Sequence, residues 1–128
     1  MTIKRLSPSQ IALIMKKGRA YNSGSFLFKT KEGCLLNNSE TESTTNLMFL
    51  GAFVSSKKVF KTAVDRNRSR RKIKEAFIKV IKDLLDKKQN LYIPEFVFLT
   101  KKTIIKEDFK NIIKEIEQIL VKNYIIKQ

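Results

Sequence analysis

The stretch from Asp65 to Leu85 restricts the fold of this chain more than any other. Ile73, Ala76, Phe77, Val80, Ile81, Leu84 and Leu85 recur at the three- and four-residue spacing of one buried helical face. Just ahead of them, five of the eight residues from Asp65 to Lys72 are basic: Arg66, Arg68, Arg70, Arg71 and Lys72. Thr62, with Asp65 three residues on, marks a helix start and puts an acid in the first turn. On a wheel of about 100° per residue with Ile73 at zero, the apolar stripe centres near ~25°, Arg66 at about 20° and Arg70 at about 60°. Arg68, Lys72 and Lys79 fall on the opposite side, at about 220–260°. An arginine is not buried without a partner, so the stripe has to leave the core near Ser69. The apolar half then anchors the helix and the basic half projects as a spur. On this reading Arg66 and Arg70 lie beyond the core and are replaceable without cost to folding.

The spur concentrates the charge of the whole chain. Residues 57–82 hold 11 basic and 2 acidic side chains, net +9, out of a total of +15 over 128 residues. Only Asp65 and Glu75 are locally available as partners, so a surface laced with ion pairs does not account for the cluster. Solubility requires neither this density nor this preference for Arg. A planar guanidinium fork binds phosphate bidentately and stacks on bases, and a dense basic patch marks a polyanion as partner. Asn67 adds a donor and an acceptor within the cluster, and Lys57, Lys58 and Lys61 enter from the preceding strand and turn.

Several chemistries are excluded. The chain has no His, which removes the usual acid/base pair of a metal-free ribonuclease. Glu40/Glu42, Glu107/Asp108 and Glu115/Glu117 sit in polar, solvated contexts and make no compact metal constellation. The four Gly are scattered and form no phosphate loop. Cys34 is the only cysteine, so there is neither a disulfide nor a cysteine metal site. The apolar runs Ile11–Met15 and Leu47–Val54 are too short for a signal-peptide core or a bilayer span. A cytoplasmic protein without membrane association is expected, and binding, not catalysis, is the expected role of the chain.

Elsewhere the punctuation is clear. Ser7 as N-cap, Pro8 at the first helical position, Gln10 closing a capping box and Gly18 at the end delimit a first helix, with Leu6 and Ile11 spaced as a hydrophobic staple. Ile11, Ile14 and Met15 form its narrow apolar stripe. Ser25–Thr30, Leu47–Ser56 and Glu95–Thr100 read as strands, Gly33–Leu36 as a continuation or a further strand, and Asn37–Asn46 as a polar connection. Ile105, Phe109, Ile112, Ile113, Ile116, Ile119 and Leu120 give a core-facing last helix. The expected architecture is one α+β (α/β sandwich) domain over residues 1–128, in the order helix, strands, helix, strand, helix around one mixed sheet.

The segment Phe53–Phe77, "FVSSKKVFKTAVDRNRSRRKIKEAF", resembles the signature of the bacterial ribonuclease P protein component, in which a Ser-Lys-Lys turn precedes an Arg-Asn-Arg helix. Here these are Ser56-Lys57-Lys58 and Arg66-Asn67-Arg68, followed by Arg70, Arg71, Lys74, Glu75, Ala76 and Phe77. Lys16–Tyr21 and Phe96–Lys102 resemble the family's exit from helix one and its last strand, so the likeness runs over nearly the whole chain. The resemblance implies a left-handed crossover through the basic helix between two parallel strands, against the usual hand. It also implies that an RNA subunit carries out the chemistry, cleaving precursor tRNA at the mature 5′ end with Mg²⁺. No obligate protein partner is implied.

By the same resemblance, Lys57, Lys58, Lys61, Arg66, Asn67, Arg68, Arg70, Arg71 and Lys74 are candidate contacts to the catalytic RNA. Ile11, Met15, Phe26, Lys29 and Lys101 are candidates for a cleft that takes the 5′ leader of precursor tRNA. Ile11 and Met15 stand where the family commonly has aromatics, as does Lys29 near the end of the first strand. Stacking on leader bases is therefore expected to give way to apolar contact and charge. The family's glycine ahead of the Ser-Lys-Lys turn is replaced by Ala52 at the aligned position, with Gly51 beside it. A ribosomal or other structural RNA-binding protein, or a DNA-binding module with its helix in the major groove, shares the charge and the sandwich but not this ordered set of motifs.

Overall fold

Phenylalanine divides the molecule into two unequal halves. The computed structural model describes residues 2–31, 48–87, 90–91, 95–123 and 125–126. Strand β1 (Thr2–Arg5) is followed by α1 (Pro8–Lys17), β2 (Arg19–Asn22), β3 (Phe26–Thr30), β4 (Met48–Val54), α2 (Ala63–Asp86), β5 (Asn90–Leu91), β6 (Phe96–Thr100), a 3-10 turn (Lys102–Ile105), α3 (Phe109–Asn123) and β7 (Ile125–Ile126). Five strands form a mixed sheet in the order β1-β4-β6-β3-β2. β1 and β6 each pair parallel to β4, and β3 pairs antiparallel to both β6 and β2.

Side chains alternate across the sheet. Phe26 and Phe28 of β3, Phe49 and Phe53 of β4, and Phe96 and Phe98 of β6 face α2 and α3. With Phe60, Phe77 and Phe109, all nine phenylalanines of the chain belong to this one core. From α2 it receives Ile73, Ala76, Phe77, Val80, Ile81 and Leu84; from α3, Ile112, Ile116 and Leu120. Among the described residues the opposite face is covered by α1, through a small cluster of Leu6, Ile14, Ala52 and Val97 with Ile11, Met15, Leu50 and Val54 at its margin.

Local signals acted as read. Ser7 Oγ accepts from the Gln10 N–H at 3.3 Å and Gln10 Oε1 accepts from the Ser7 N–H at 2.9 Å, completing the capping box. Thr62 Oγ1 caps α2 by accepting from the Asp65 N–H at 3.2 Å. Gly18 ends α1 in an extended conformation, and its role is close approach: a Cβ there would lie 2.4 Å from the Ile14 carbonyl oxygen and 2.6 Å from that of Thr30. Gly51 is paired in register with Phe96, and a Cβ there would meet that ring at 2.2 Å. The glycine ahead of the Ser-Lys-Lys turn therefore gives Phe96 room to lie flat on β4.

Two expectations change. Strand β1 precedes the first helix, and β5 and β7 form a second, two-stranded sheet, so the order is richer than helix, strands, helix, strand, helix around one sheet. Ile105 ends a 3-10 turn instead of opening the last helix, because Asp108 restarts the chain by accepting from the Lys110 N–H through its carboxylate at 3.3 Å. Gly33–Leu36, Asn37–Asn46 and Cys34 lie outside the described residues.

Glu107 closes the corner between β6 and α3. Its carboxyl is held below the usual carboxylate range, first by the Asn111 side-chain amide, then by the Asp108 N–H and the Ser25 hydroxyl, against an opposing effect of desolvation. A lowered folded pKa gives stabilisation that is complete above the ordinary carboxylate range and is lost as pH falls through the lowered value. In acid, the melting temperature of the Glu107→Gln variant should accordingly fall less steeply with pH than that of the wild type. Identical pH slopes would remove Glu107 from the acid response.

The ring packing gives a second prediction. Phe96 lies against Phe28, Phe53, Phe77 and Phe98 with ring centroids 4.9–6.1 Å away and cannot retreat from a new methyl group. Gly51→Ala should lose about 1–3 kcal/mol by overpacking, and Phe77→Ala about 3–5 kcal/mol by leaving a cavity. Urea unfolding of both variants measures this; a neutral Gly51→Ala would mean that the ring is not confined.

Candidate nucleic-acid interface

Helix α2 is buried along only part of its length. Its buried residues run from Leu84 back to Ser69 and stop there. Ser69 is a polar residue inside the apolar stripe, fully enclosed, and its hydroxyl donates to the Arg66 carbonyl at 2.9 Å. Ser55 Oγ lies 2.5 Å from Ser69 Oγ and 2.7 Å from Thr100 Oγ1. Each hydroxyl has one hydrogen to give. With Ser69's committed to the Arg66 carbonyl and Thr100's to the Val54 carbonyl at 3.3 Å, Ser55 has one hydrogen to share between its two hydroxyl neighbours. These three hydroxyls tie β4, β6 and the first turns of α2 together where apolar packing ends. The signal in the sequence was a serine on the stripe, four residues ahead of Ile73.

Two cations also serve the scaffold. The half-buried Arg66 donates from Nη1 to the Phe60 carbonyl at 3.0 Å, holding the chain that enters the helix. It extends the buried stripe as read, but it is anchored, so the expectation that it can be removed without cost to folding is corrected. Lys72 donates to the Ile105 carbonyl at 3.1 Å and to that of Glu107, fastening the 3-10 turn to α2. Arg70, by contrast, is exposed and among the described residues reaches Asn67 Oδ1.

The remaining cations face solvent. Asn67, Arg70, Arg71 and Lys74 recur at helical spacing along one outer strip, with Arg68 at its margin. Arg68, Arg71 and Lys74 are exposed and have no side-chain partner among the described residues. Lys57 and Lys58 stand exposed on the turn after β4, braced by the Phe60 N–H to Ser56 carbonyl bond at 2.9 Å, and Lys61 is exposed just ahead of the Thr62 cap. Among the described residues the one ion pair is Lys79–Asp83 at 3.4 Å. Like charges held this close without counter-ions attract a polyanion and release its condensed cations on binding.

The face under α1 holds four of the five cleft candidates. Ile11 and Met15 are half-buried at the margin of the small cluster. Lys29 donates to the Met15 carbonyl at 2.5 Å, and Lys101 donates to Asn22 Oδ1 and the Ser23 carbonyl. Phe26 is the exception: it is fully buried on the opposite face, 5.5 Å from Phe98, because alternation sends Phe26 and Phe28 inward and Leu27 and Lys29 toward α1. Leu27, Leu99 and Val54, matched in register across β3, β6 and β4, form a half-buried apolar row beside these lysines. The sequence reading missed that row, although strict alternation about Phe26 and Phe28 would have found Leu27. Among the described residues no group of three or more His, Cys, Asp or Glu is placed to hold a metal ion, and no helix is long and apolar enough to cross a membrane.

The family model "Ribonuclease P" matches residues 4–124. The Staphylococcus aureus RNase P protein structure aligns with a TM-score of 0.59 and 24% identity over 92% of each chain. That of the Thermotoga maritima RNase P protein aligns with a TM-score of 0.62 and 17% identity over 98% of this chain and 99% of the other. At these identities the structures show a shared fold. No curated protein matches.

The division of cations into anchored and free predicts two classes of variant. Ser69→Ala should destabilise the protein by about 0.5–1.5 kcal/mol through the hydrogen bonds it loses, and Arg66→Ala by about 1–3 kcal/mol through an orphaned Phe60 carbonyl. Arg68→Ala, Arg71→Ala and Lys74→Ala should stay within about 0.5 kcal/mol of wild type. Thermal melting of the five single variants distinguishes the classes, and a wild-type melt for Arg66→Ala would restore it to the free set.

Proposed function

The chain belongs to the ribonuclease P family as a protein subunit of that tRNA-processing enzyme, and from this premise we propose that its α2 strip binds the catalytic RNA while the face under α1 holds the 5′ leader of precursor tRNA. The observation that carries the first half is the strip itself. Arg68, Arg71 and Lys74 are unpartnered on a helix whose other half is immobilised in the core, with Lys57, Lys58 and Lys61 on the adjoining turn and Asn67 and Arg70 between. Such an array meets phosphates without reorganising, so little ordering entropy opposes binding.

The leader face works differently. Its apolar row of Leu27, Leu99 and Val54 offers surface to unstacked bases, with Ile11 and Met15 along the helix side. Lys29 and Lys101 already hold backbone carbonyls, and each retains donors for a passing phosphate. With no aromatic on this face among the described residues, base contact there rests on aliphatic packing and is indifferent to sequence.

Cleavage is assigned to the RNA subunit with its Mg²⁺. The protein supplies no histidine to serve as acid or base; its part is charge neutralisation and positioning, in the cytoplasm, as a single RNA-binding domain.

The test is precursor-tRNA cleavage by a ribonuclease P RNA at low Mg²⁺. Nuclease-free protein alone should leave the substrate intact, and the protein should accelerate the RNA. The Arg68→Ala/Arg71→Ala/Lys74→Ala variant should lose the acceleration with an unchanged melting temperature. If about five cations meet phosphates, log affinity should fall with log salt at a slope of about −3.5 to −4.5. A general RNA-binding protein would bind the RNA with such a slope and fail to accelerate cleavage; a slope near zero would remove the strip from the interface.

A further inference from the structure

A groove of about 420 Å³ opens on the edge of the sheet where β4 and β6 end, lined by Val59, Phe60, Lys61, Asp65, Lys102, Ile105 and Lys106. It lies between two segments, the entry to α2 and the 3-10 turn after β6. Each wall is held by one of the scaffold cations: Arg66 grips the Phe60 carbonyl on one side and Lys72 grips the Ile105 carbonyl on the other. The floor is apolar, with Phe60 buried, Ile105 half-buried and Val59 37% exposed. Above it stand Lys61, Lys102 and Lys106, exposed and without side-chain partners among the described residues, against the single carboxylate of Asp65. The preceding residue, Lys101, reaches the opposite way to Asn22 and Ser23, so one short turn presents lysines to both the leader face and the groove.

We propose that this groove is a second seat for single-stranded RNA, taking phosphates on Lys61, Lys102 and Lys106 and the faces of an unstacked base or ribose on Val59 and Ile105. The proposal rests on the RNA-binding reading above; the groove shares Lys61 with the α2 array and extends it to Val59, Lys102, Ile105 and Lys106. Shape decides the class of partner. The volume falls within the scale of small-ligand sites, roughly 300–1,000 Å³, which admits nucleotides in file and leaves a base-paired helix outside. An apolar floor is of no use to a duplex, whose bases are stacked and turned inward, whereas a splayed strand presents them. Preformed walls let charge and apolar contact act together on one strand.

The test uses the full-length protein and three variants: Lys102→Ala/Lys106→Ala, the charge-preserving Lys102→Arg/Lys106→Arg, and Arg68→Ala/Arg71→Ala/Lys74→Ala. Binding of a single-stranded uridine polymer, of a duplex RNA and of a ribonuclease P RNA is measured against salt, together with melting curves. The double alanine variant should fold normally and bind the single strand with a salt slope shallower by about 1.4, the value for two lost phosphate contacts. Its duplex slope should be unchanged, and the double arginine variant should match wild type. A 4-thiouridine strand should crosslink to the segment Val59–Lys61. Unchanged single-strand binding, an equal loss on duplex, or no crosslink in the groove would overturn the proposal. If the helix variant still loses ribonuclease P RNA in that case, the α2 reading stands alone; if it too binds normally, the RNA-binding reading itself fails.

Discussion

Phe77 occupies the point where the rings of Phe49, Phe53, Phe96 and Phe98 converge, with centroids 4.9–6.0 Å away. Through that contact the sheet sets α2 at one depth and one rotation. The strip of Asn67, Arg70, Arg71 and Lys74 faces outward because Ile73, Phe77 and Val80 face inward, and a helix cannot turn one without the other. The contact depends in turn on Gly51, whose missing side chain lets Phe96 lie against β4. A basic strip of long, flexible, mutually repelling side chains thus takes its orientation from a core of rigid rings on the other side of the same helix.

The net charge of +15 overstates what is free to meet RNA. Arg66, Lys72, Lys29 and Lys101 each donate to a backbone carbonyl. The carbonyls of Phe60, Ser23 and Ile105 lie in turns or loop ends, where main-chain oxygens lack partners in the ladder. Cations fill that role in a chain that is poor in acids. The consequence is a surface in which neighbouring residues on one helix differ in kind: removing Arg66 opens a turn, and removing Arg68 removes only a charge.

Much of this was legible in the sequence, for identifiable reasons. The caps of α1 and α2 and the stripe from Ile73 to Leu84 are local signals, and local signals survive folding. The α3 stripe was read correctly, but its first residue was misassigned, since Ile105 keeps helical spacing within a separate 3-10 turn. Strand β1 is too short to announce itself, and it exists because β4 offers it a parallel edge. Phe26 was placed on the wrong face: a resemblance carries a motif's position along the chain more safely than the side of a sheet to which a residue points. The hydroxyl chain of Ser55, Ser69 and Thr100 joins residues far apart in sequence, and no periodicity could have joined them.

The parallel pairing of β4 with β6 bears on the order of events during folding. These strands are neighbours in space, yet 41 residues lie between Val54 and Phe96. Bringing such distant segments together costs loop-closure entropy before any ladder bond repays it, and contacts of this kind slow folding. The hairpin of β2 and β3 and the capped helix α1 form from local contacts and do not wait. The segment between β4 and β6 is shortened by coiling into α2, which lies wholly within it. The basic strip of α2 lies inside the long loop that the β4–β6 pairing closes, so the strip's position and the closure of the central ladder are one topological event.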